Sequence, residues 1–101
     1  MKKIFLLCSA GMSTSLLVNK MKEAAKSQGY EYDIAATSLA NLKDIKDEAD
    51  VILLGPQVRF DKERVEEEVK NIPVDVVDMT AYGMMDGKKV LDQARKLLGE
   101  L

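Results

Sequence analysis

The chain contains no histidine and no tryptophan, and only one cysteine and two prolines in 101 residues. Without histidine, a Ser-His-Asp or Cys-His constellation, a histidine-based zinc site and a phosphohistidine on this chain are all excluded. A single cysteine, Cys8, excludes an intrachain disulfide and a dithiol redox motif, and suits a reducing cytosol. Excess positive charge is missing too: 15 basic residues face 17 acidic ones, a net −2, which argues against a nucleic-acid partner. No apolar run approaches the roughly 18 residues of a membrane span. The N-terminal run Ile4-Phe5-Leu6-Leu7-Cys8 follows Lys2-Lys3 but is shorter than the roughly 7 to 15 residues of a signal-peptide core. What is there is enough for one core: 47% of the residues are apolar, in a length typical of one domain. The expectation is a single domain over residues 1–101, cytoplasmic, whose chemistry rests on Cys8, carboxylates, lysines, hydroxyls or the backbone.

Short continuous apolar runs recur at Ile4 to Leu7, Val51 to Leu54 and Val74 to Val77, each followed by a turn. Such runs are typical of parallel strands covered on both faces. Tyr30 to Ala36 instead alternates, as a half-exposed strand at a sheet edge does. Between the strands lie helical patterns. Leu17, Met21, Ala24 and Ala25 repeat within Ser13 to Gln28, and Gly29 stands where a helix stops. Leu39, Leu42, Ile45 and Ala49 follow Ser38 as N-cap, and Val65, Val69 and Ile72 follow Asp61 as N-cap and end before Pro73. The last pattern opens at Asp86, carries Val90, Leu91, Ala94, Leu97 and Leu98, and closes at Gly99. Four strand-then-helix units predict an α/β fold: one four-stranded parallel sheet in the order 2-1-3-4 with helices on both faces. Ligands of open α/β sheets bind at strand C-termini beside the switch point, here the turn that starts at Cys8.

That turn reads Cys8-Ser9-Ala10-Gly11-Met12-Ser13-Thr14-Ser15. Its small and hydroxylic residues let backbone N–H groups turn inward, and the helix that follows adds its unpaired donors and the positive end of its dipole. This predicts an anion cradle with Cys8 at its lip, in a field that favours thiolate and so a nucleophile. A buried cysteine that merely ends a strand is the simpler alternative. Neither a nucleotide P-loop nor a dinucleotide fingerprint is matched, because Gly11 is the only glycine in the turn. Cysteine-dependent phosphatases and arsenate reductases pair such a loop with an arginine six residues after the cysteine, where this chain has Thr14. Without a guanidinium to clamp the oxyanion, free phosphate esters would bind poorly. Transfer outranks hydrolysis.

Cys8-Ser-Ala-Gly-Met-Ser-Thr-Ser15, Leu54-Gly-Pro-Gln-Val-Arg-Phe60 and Tyr82-Gly-Met-Met-Asp-Gly87 together resemble the enzyme IIB component of the lactose, cellobiose and diacetylchitobiose class of the bacterial sugar phosphotransferase system (PTS). The resemblance spans the whole chain and implies a fold like that of low-molecular-weight tyrosine phosphatases. It further implies that Cys8 receives a phosphoryl group from a phosphohistidine on a IIA partner. Cys8 then passes the group to a sugar, a β-linked disaccharide such as cellobiose, during uptake through the membrane partner IIC. No metal and no cofactor are required on this reading, since a phosphoryl group in flight needs an in-line nucleophile and donors aimed at its oxygens. The amides of Ser9 to Ser15 would supply those donors, with the hydroxyls of Ser9, Ser13, Thr14 and Ser15 as additions.

Gln57, Val58, Arg59 and Phe60 are expected at the same sheet edge as Cys8, Arg59 facing an acidic or phosphorylated partner and Val58 and Phe60 offering apolar contact. Tyr82 is expected near the site, through packing or its hydroxyl. Gly83 and Gly87 are taken as turn and helix-start requirements. Met12, Met79, Met84 and Met85 would gather around the loop ends, where flexible thioethers suit a surface that meets two partners in turn. The acidic run Glu66-Glu67-Glu68 reads as a solvated helix face. Nothing in the helices demands a dimer, so a monomer is expected. Rival readings are a small cysteine-dependent phosphatase or arsenate reductase, and a non-catalytic regulatory module.

Overall fold

A computed structural model describes residues 1–9 and 12–101, with the side chains of Met12 and Ser13 outside that description. Four strands, β1 (Lys2–Cys8), β2 (Tyr32–Ser38), β3 (Val51–Leu54) and β4 (Val74–Val76), form one parallel sheet in the order β2-β1-β3-β4. The order is the expected one, with the alternating segment β2 at the edge. Among the described residues, five α-helices connect and cover the strands: α1 (Met12–Gln28), α2 (Leu42–Ile45), α3 (Lys62–Val69), α4 (Met79–Gly83) and α5 (Gly87–Leu97).

The two-residue period of the pleat divides the core into two layers. Ile4, Leu6, Val51 and Leu53 point to one face and meet Leu17, Val18 and Met21 of α1 and Val90, Leu91 and Ala94 of α5. Leu7, Ile52 and Leu54 point to the other and meet Leu42 and Ile45 of α2 and Val65 and Val69 of α3. β3 is buried at every position, which is why it reads as a continuous apolar run. Gly29 and Gly99 stop α1 and α5 with φ +76° each, where Tyr30 N–H donates to Ala25 C=O and Glu100 N–H to Arg95 C=O. Glycine adopts that left-handed conformation without the steric cost a Cβ brings.

Three helical expectations are revised. The second is a 3₁₀ turn, Leu39–Asn41, that runs into the single turn of α2. Ser38 does cap it, accepting from Ala40 N–H, but the spacing of three between Leu39, Leu42 and Ile45 suits a tight turn as well as an α-helix. Asp61 does not cap α3. A 3₁₀ segment, Pro56–Asp61, leads directly into that helix, and the Asp61 carboxylate pairs with Arg64 at 3.2 Å instead. α3 ends at Val69, short of Ile72. The helix α4 was not anticipated; Asp78 caps it by accepting from Ala81 N–H at 3.0 Å. Asp86 caps α5 as expected, accepting from Lys89 N–H at 3.1 Å.

At the N-terminal edge of the sheet, away from Cys8, the C-terminus is tied down by charge. Lys2 Nζ lies 2.8 Å from the Glu100 carboxylate, and Tyr32 Oη also donates to it. Arg95 donates to Tyr32 Oη at 3.0 Å and stacks over the Tyr30 ring at 3.9 Å. The Lys2 ammonium first, and the Tyr32 hydroxyl second, hold the Glu100 carboxyl below the usual carboxylate range. The unfolded chain therefore binds this proton more tightly than the folded one. The tie is complete above the ordinary carboxylate range and is lost as pH falls through the lower folded value. Carbon-detected NMR of the Glu100 carboxyl should give a midpoint below that of a solvated glutamate, and Lys2→Ala should move it back up. A midpoint at or above the ordinary range would contradict the assignment.

Candidate active site

Three strand ends converge on one side of the sheet. β1 stops at Cys8, in register with Ser38 at the end of β2, while Leu7 is in register with Leu54 at the end of β3. Beyond Leu54, Gly55 N–H donates to Leu7 C=O at 2.8 Å, so the 3₁₀ segment starts against the end of β1. Beyond β4, Val77 N–H donates to Leu54 C=O, and the chain turns into α4. The first turn of α1, the Gly55–Phe60 segment and α4 thus follow the C-terminal ends of β1, β3 and β4, where the topology directs a ligand.

Cys8 is 2% exposed, buried among the core residues at the end of β1. Its neighbour across the strands is Gly55. A Cβ on Gly55 would lie 3.4 Å from Cys8 Cβ and 2.9 Å from Gln57 Oε1, so the glycine makes room beside the cysteine. The Gly-Pro pair after a strand is the sequence signal for such a close approach. Its backbone angles are ordinary, φ −61° and ψ 151°, so space rather than conformation is what Gly55 supplies. Gly55→Ala is expected to cost below about 1 kcal/mol, because the Gln57 side chain can swing away. It should nonetheless slow alkylation of Cys8 severalfold, measured against the wild-type chain by mass spectrometry; an unchanged rate would mean that Gly55 does not border the route to the sulfur.

Of the cradle residues, Ala10 and Gly11 lie outside the described residues, as do the side chains of Met12 and Ser13. Ser9 and Ser15 are exposed. Thr14 is fully buried, the one buried polar residue among those described, and its Oγ1 lies 3.5 Å from Tyr82 Oη. Gln57 Nε2 donates to the same Oη at 3.2 Å. Tyr82 therefore joins the first turn of α1 to the Gly55–Phe60 segment, and the three expected residues Thr14, Gln57 and Tyr82 come together through one hydroxyl. Sequence reading named each of them without linking them, because residues 14, 57 and 82 are joined only by the sheet order.

The other expectations divide. Val58 is buried in the layer with α2 and α3, so it packs the core and offers no partner contact. Arg59 turns back on its own segment, with Nη1 donating to Pro56 C=O at 2.8 Å and the guanidinium 4.4 Å over the Phe60 ring. Phe60 is 85% exposed, and Met84 and Met79 are exposed at 74% and 64%, which leaves apolar surface on the segments that follow β3 and β4. Met85 instead packs against the α1–α5 layer. Gly83 faces open space and is required by neither turn nor packing, whereas Gly87 is a contact glycine: a Cβ there would lie 2.3 Å from the Lys20 carbonyl carbon of α1.

Known proteins resemble this chain over nearly its whole length. Residues 3–93 match the family model described as PTS system, Lactose/Cellobiose specific IIB subunit. An oligo-beta-mannoside-specific EIIB component of Bacillus subtilis is 52% identical, with 97% of each chain covered. A cellobiose-specific EIIB component of Lactococcus lactis subsp. lactis is 47% identical, with 96% of each covered. Among solved structures, the cellobiose-specific phosphotransferase IIB component of Borrelia burgdorferi superposes with a TM-score of 0.81 at 41% identity, over 97% of this chain and 92% of that one. The lactose-specific IIB domain from Streptococcus pneumoniae superposes at 0.79 with 20% identity, over 94% and 95%, a likeness of fold. That fold is the one shared with low-molecular-weight phosphatases.

Proposed function

We propose, since this chain belongs to the family of lactose/cellobiose-specific IIB subunits of the phosphotransferase system, that Cys8 is its phosphoryl carrier. The Cys8 thiolate attacks the phosphorus of a phosphohistidine on the IIA partner. The S–P bond forms as the N–P bond breaks, and the electron pair of the broken bond stays on the imidazole nitrogen. A hydroxyl of the sugar held by the membrane partner IIC then attacks the same phosphorus. The S–P bond breaks, sulfur leaves as thiolate, and the hydroxyl proton passes to solvent. The sugar is a β-linked disaccharide of the cellobiose kind, in keeping with the family description and with relatives named for cellobiose and oligo-beta-mannosides. The carrier works in the cytoplasm; among the described residues no helix is long and apolar enough to cross a membrane.

The observation that carries this reading is the setting of Cys8 at the end of central strand β1, directly ahead of α1, with Gly55 kept small beside it. Backbone amides of the first turn of α1 supply donors to the phosphoryl oxygens without metal or cofactor. Thr14 stands where phosphatases of this fold class have their arginine, so the site holds a phosphoryl group bonded to sulfur better than a free ester. Phe60, Met79 and Met84 give IIA and IIC an apolar landing surface beside the site.

Incubation with phosphorylated IIA should add one phosphoryl group to the chain at Cys8, seen by mass spectrometry as an acid-stable, thiol-linked adduct. IIC-containing membranes and cellobiose should then discharge it. The chain alone should not turn over p-nitrophenyl phosphate. Steady hydrolysis that disappears in Cys8→Ser would make the protein a phosphatase, and no adduct from any phosphorylated IIA would leave a regulatory module.

A further inference from the structure

We propose that Tyr82 is a positioning residue for phosphoryl transfer: its hydroxyl, held by Gln57, fixes Thr14 and with it the closing end of the loop that follows Cys8. The inference rests on the reading of Cys8 as phosphoryl carrier and adds a residue that touches neither sulfur nor phosphorus.

The argument begins with burial. Thr14 is 0% exposed, and no described buried side-chain polar atom is left without a partner. A buried threonine in the first turn of a helix needs its hydroxyl satisfied, and Tyr82 Oη stands 3.5 Å away. Tyr82 is itself steered. Its ring packs against the α1–α5 layer, and Gln57 Nε2 donates to its oxygen at 3.2 Å. A carboxamide nitrogen only donates, so Gln57 occupies an acceptor position on Tyr82 Oη, while either hydroxyl can donate in the contact between Tyr82 and Thr14. The distance of 3.5 Å is at the long limit for such a bond, as catalytic contacts often are before the site is filled.

Tyr82 Oη ties the Gly55–Phe60 segment, α4 and the first turn of α1 together through a single atom. A displaced Thr14 would misaim the last donors of the cradle, and small misplacement of such donors is costly to rate. Tyr82→Phe removes the hydroxyl and keeps the ring, and so separates positioning from packing.

Single-turnover transfer from phosphorylated IIA, at varied IIA concentration, reads the effect. Tyr82→Phe should lower the maximal rate about tenfold, the worth of one well-placed hydrogen bond, with the half-saturating IIA concentration unchanged. Gln57→Ala, at an exposed position where folding is not at stake, should lower it about threefold. Thr14→Val should match Tyr82→Phe, the double variant should be no slower than the slower single, and Thr14→Ser should keep most of the rate. Wild-type rates in Tyr82→Phe would overturn the proposal. So would a loss confined to half-saturation, which is docking, or additive losses in the double variant, which mean independent roles. Absence of transfer to the wild-type chain would overturn the carrier reading and this inference with it, whereas normal wild-type transfer beside an unaffected Tyr82→Phe overturns this inference alone.

Discussion

Cys8→Ser is expected to lower phosphoryl transfer from phosphorylated IIA by at least about a thousandfold, the scale seen when a nucleophile is removed from an otherwise intact site. The loss follows from chemistry rather than size. Sulfur is intrinsically the far stronger nucleophile, whereas a serine hydroxyl in this chain has no histidine to take its proton. Cys8→Ala is the companion variant, because it deletes the sulfur without adding a polar group. Both should bind IIA as the wild type does and acquire no phosphate, by mass spectrometry after incubation with the phosphorylated donor. Phosphate still appearing on either variant would show that another residue carries it.

The second large effect concerns stability. Gly87 opens α5 where that helix crosses α1, and an added Cβ would lie 2.3 Å from the carbonyl carbon and 2.5 Å from the carbonyl oxygen of Lys20. These are backbone atoms in the middle of α1, so no side-chain rotation relieves the overlap. The two helices must part, and Val90, Leu91 and Ala94 lose their fit against Leu17 and Met21. Gly87→Ala should destabilise the fold by about 3 kcal/mol, near the upper end for overpacking. For a domain of this length that is a fall of about 15 °C in thermal midpoint. Gly83→Ala supplies the opposite sign: nothing lies within 4 Å of its would-be Cβ, and it ends α4 with ordinary backbone angles. It should gain about 0.5 kcal/mol from helix propensity and a less flexible unfolded chain. Calorimetry of the two variants tests the pair, and a stabilised Gly87→Ala would mean that α1 and α5 are not in close contact there.

These two glycines show where sequence patterns stop being informative. Both follow the same rule when read along the chain, as turn or helix-start residues, yet one is replaceable and the other is held by a helix that lies nearly seventy residues away. Similar ambiguity affected Val58 and Phe60. A loop residue and its neighbour two places on look alike in sequence, and only the kink at Val58, φ −116° and ψ 21°, turns one into the core and leaves the other in solvent. Helix α4 is hard to see in sequence because five residues hold too little periodicity, although Asp78 ahead of it is a cap signal.

What the chain determines by itself is whatever depends on local pattern and composition. Continuous apolar runs mark strands buried on both faces, Gly29 and Gly99 end helices by their freedom at positive φ, and the absence of histidine excludes histidine-based catalysis and leaves Cys8 as the sole thiol. With right-handed crossovers and the alternating segment at an edge, the strand pattern predicts the order 2-1-3-4 that the sheet has, which sets Cys8 at the switch point. Tertiary structure alone decided which distant groups meet: Gly55 beside Cys8, Gly87 against Lys20, and Tyr82 between Gln57 and Thr14. The reason is physical. Hydrogen bonds and steric contacts act over a few ångströms, so their partners exist only once the crossover connections have brought separate strand ends to one edge of the sheet.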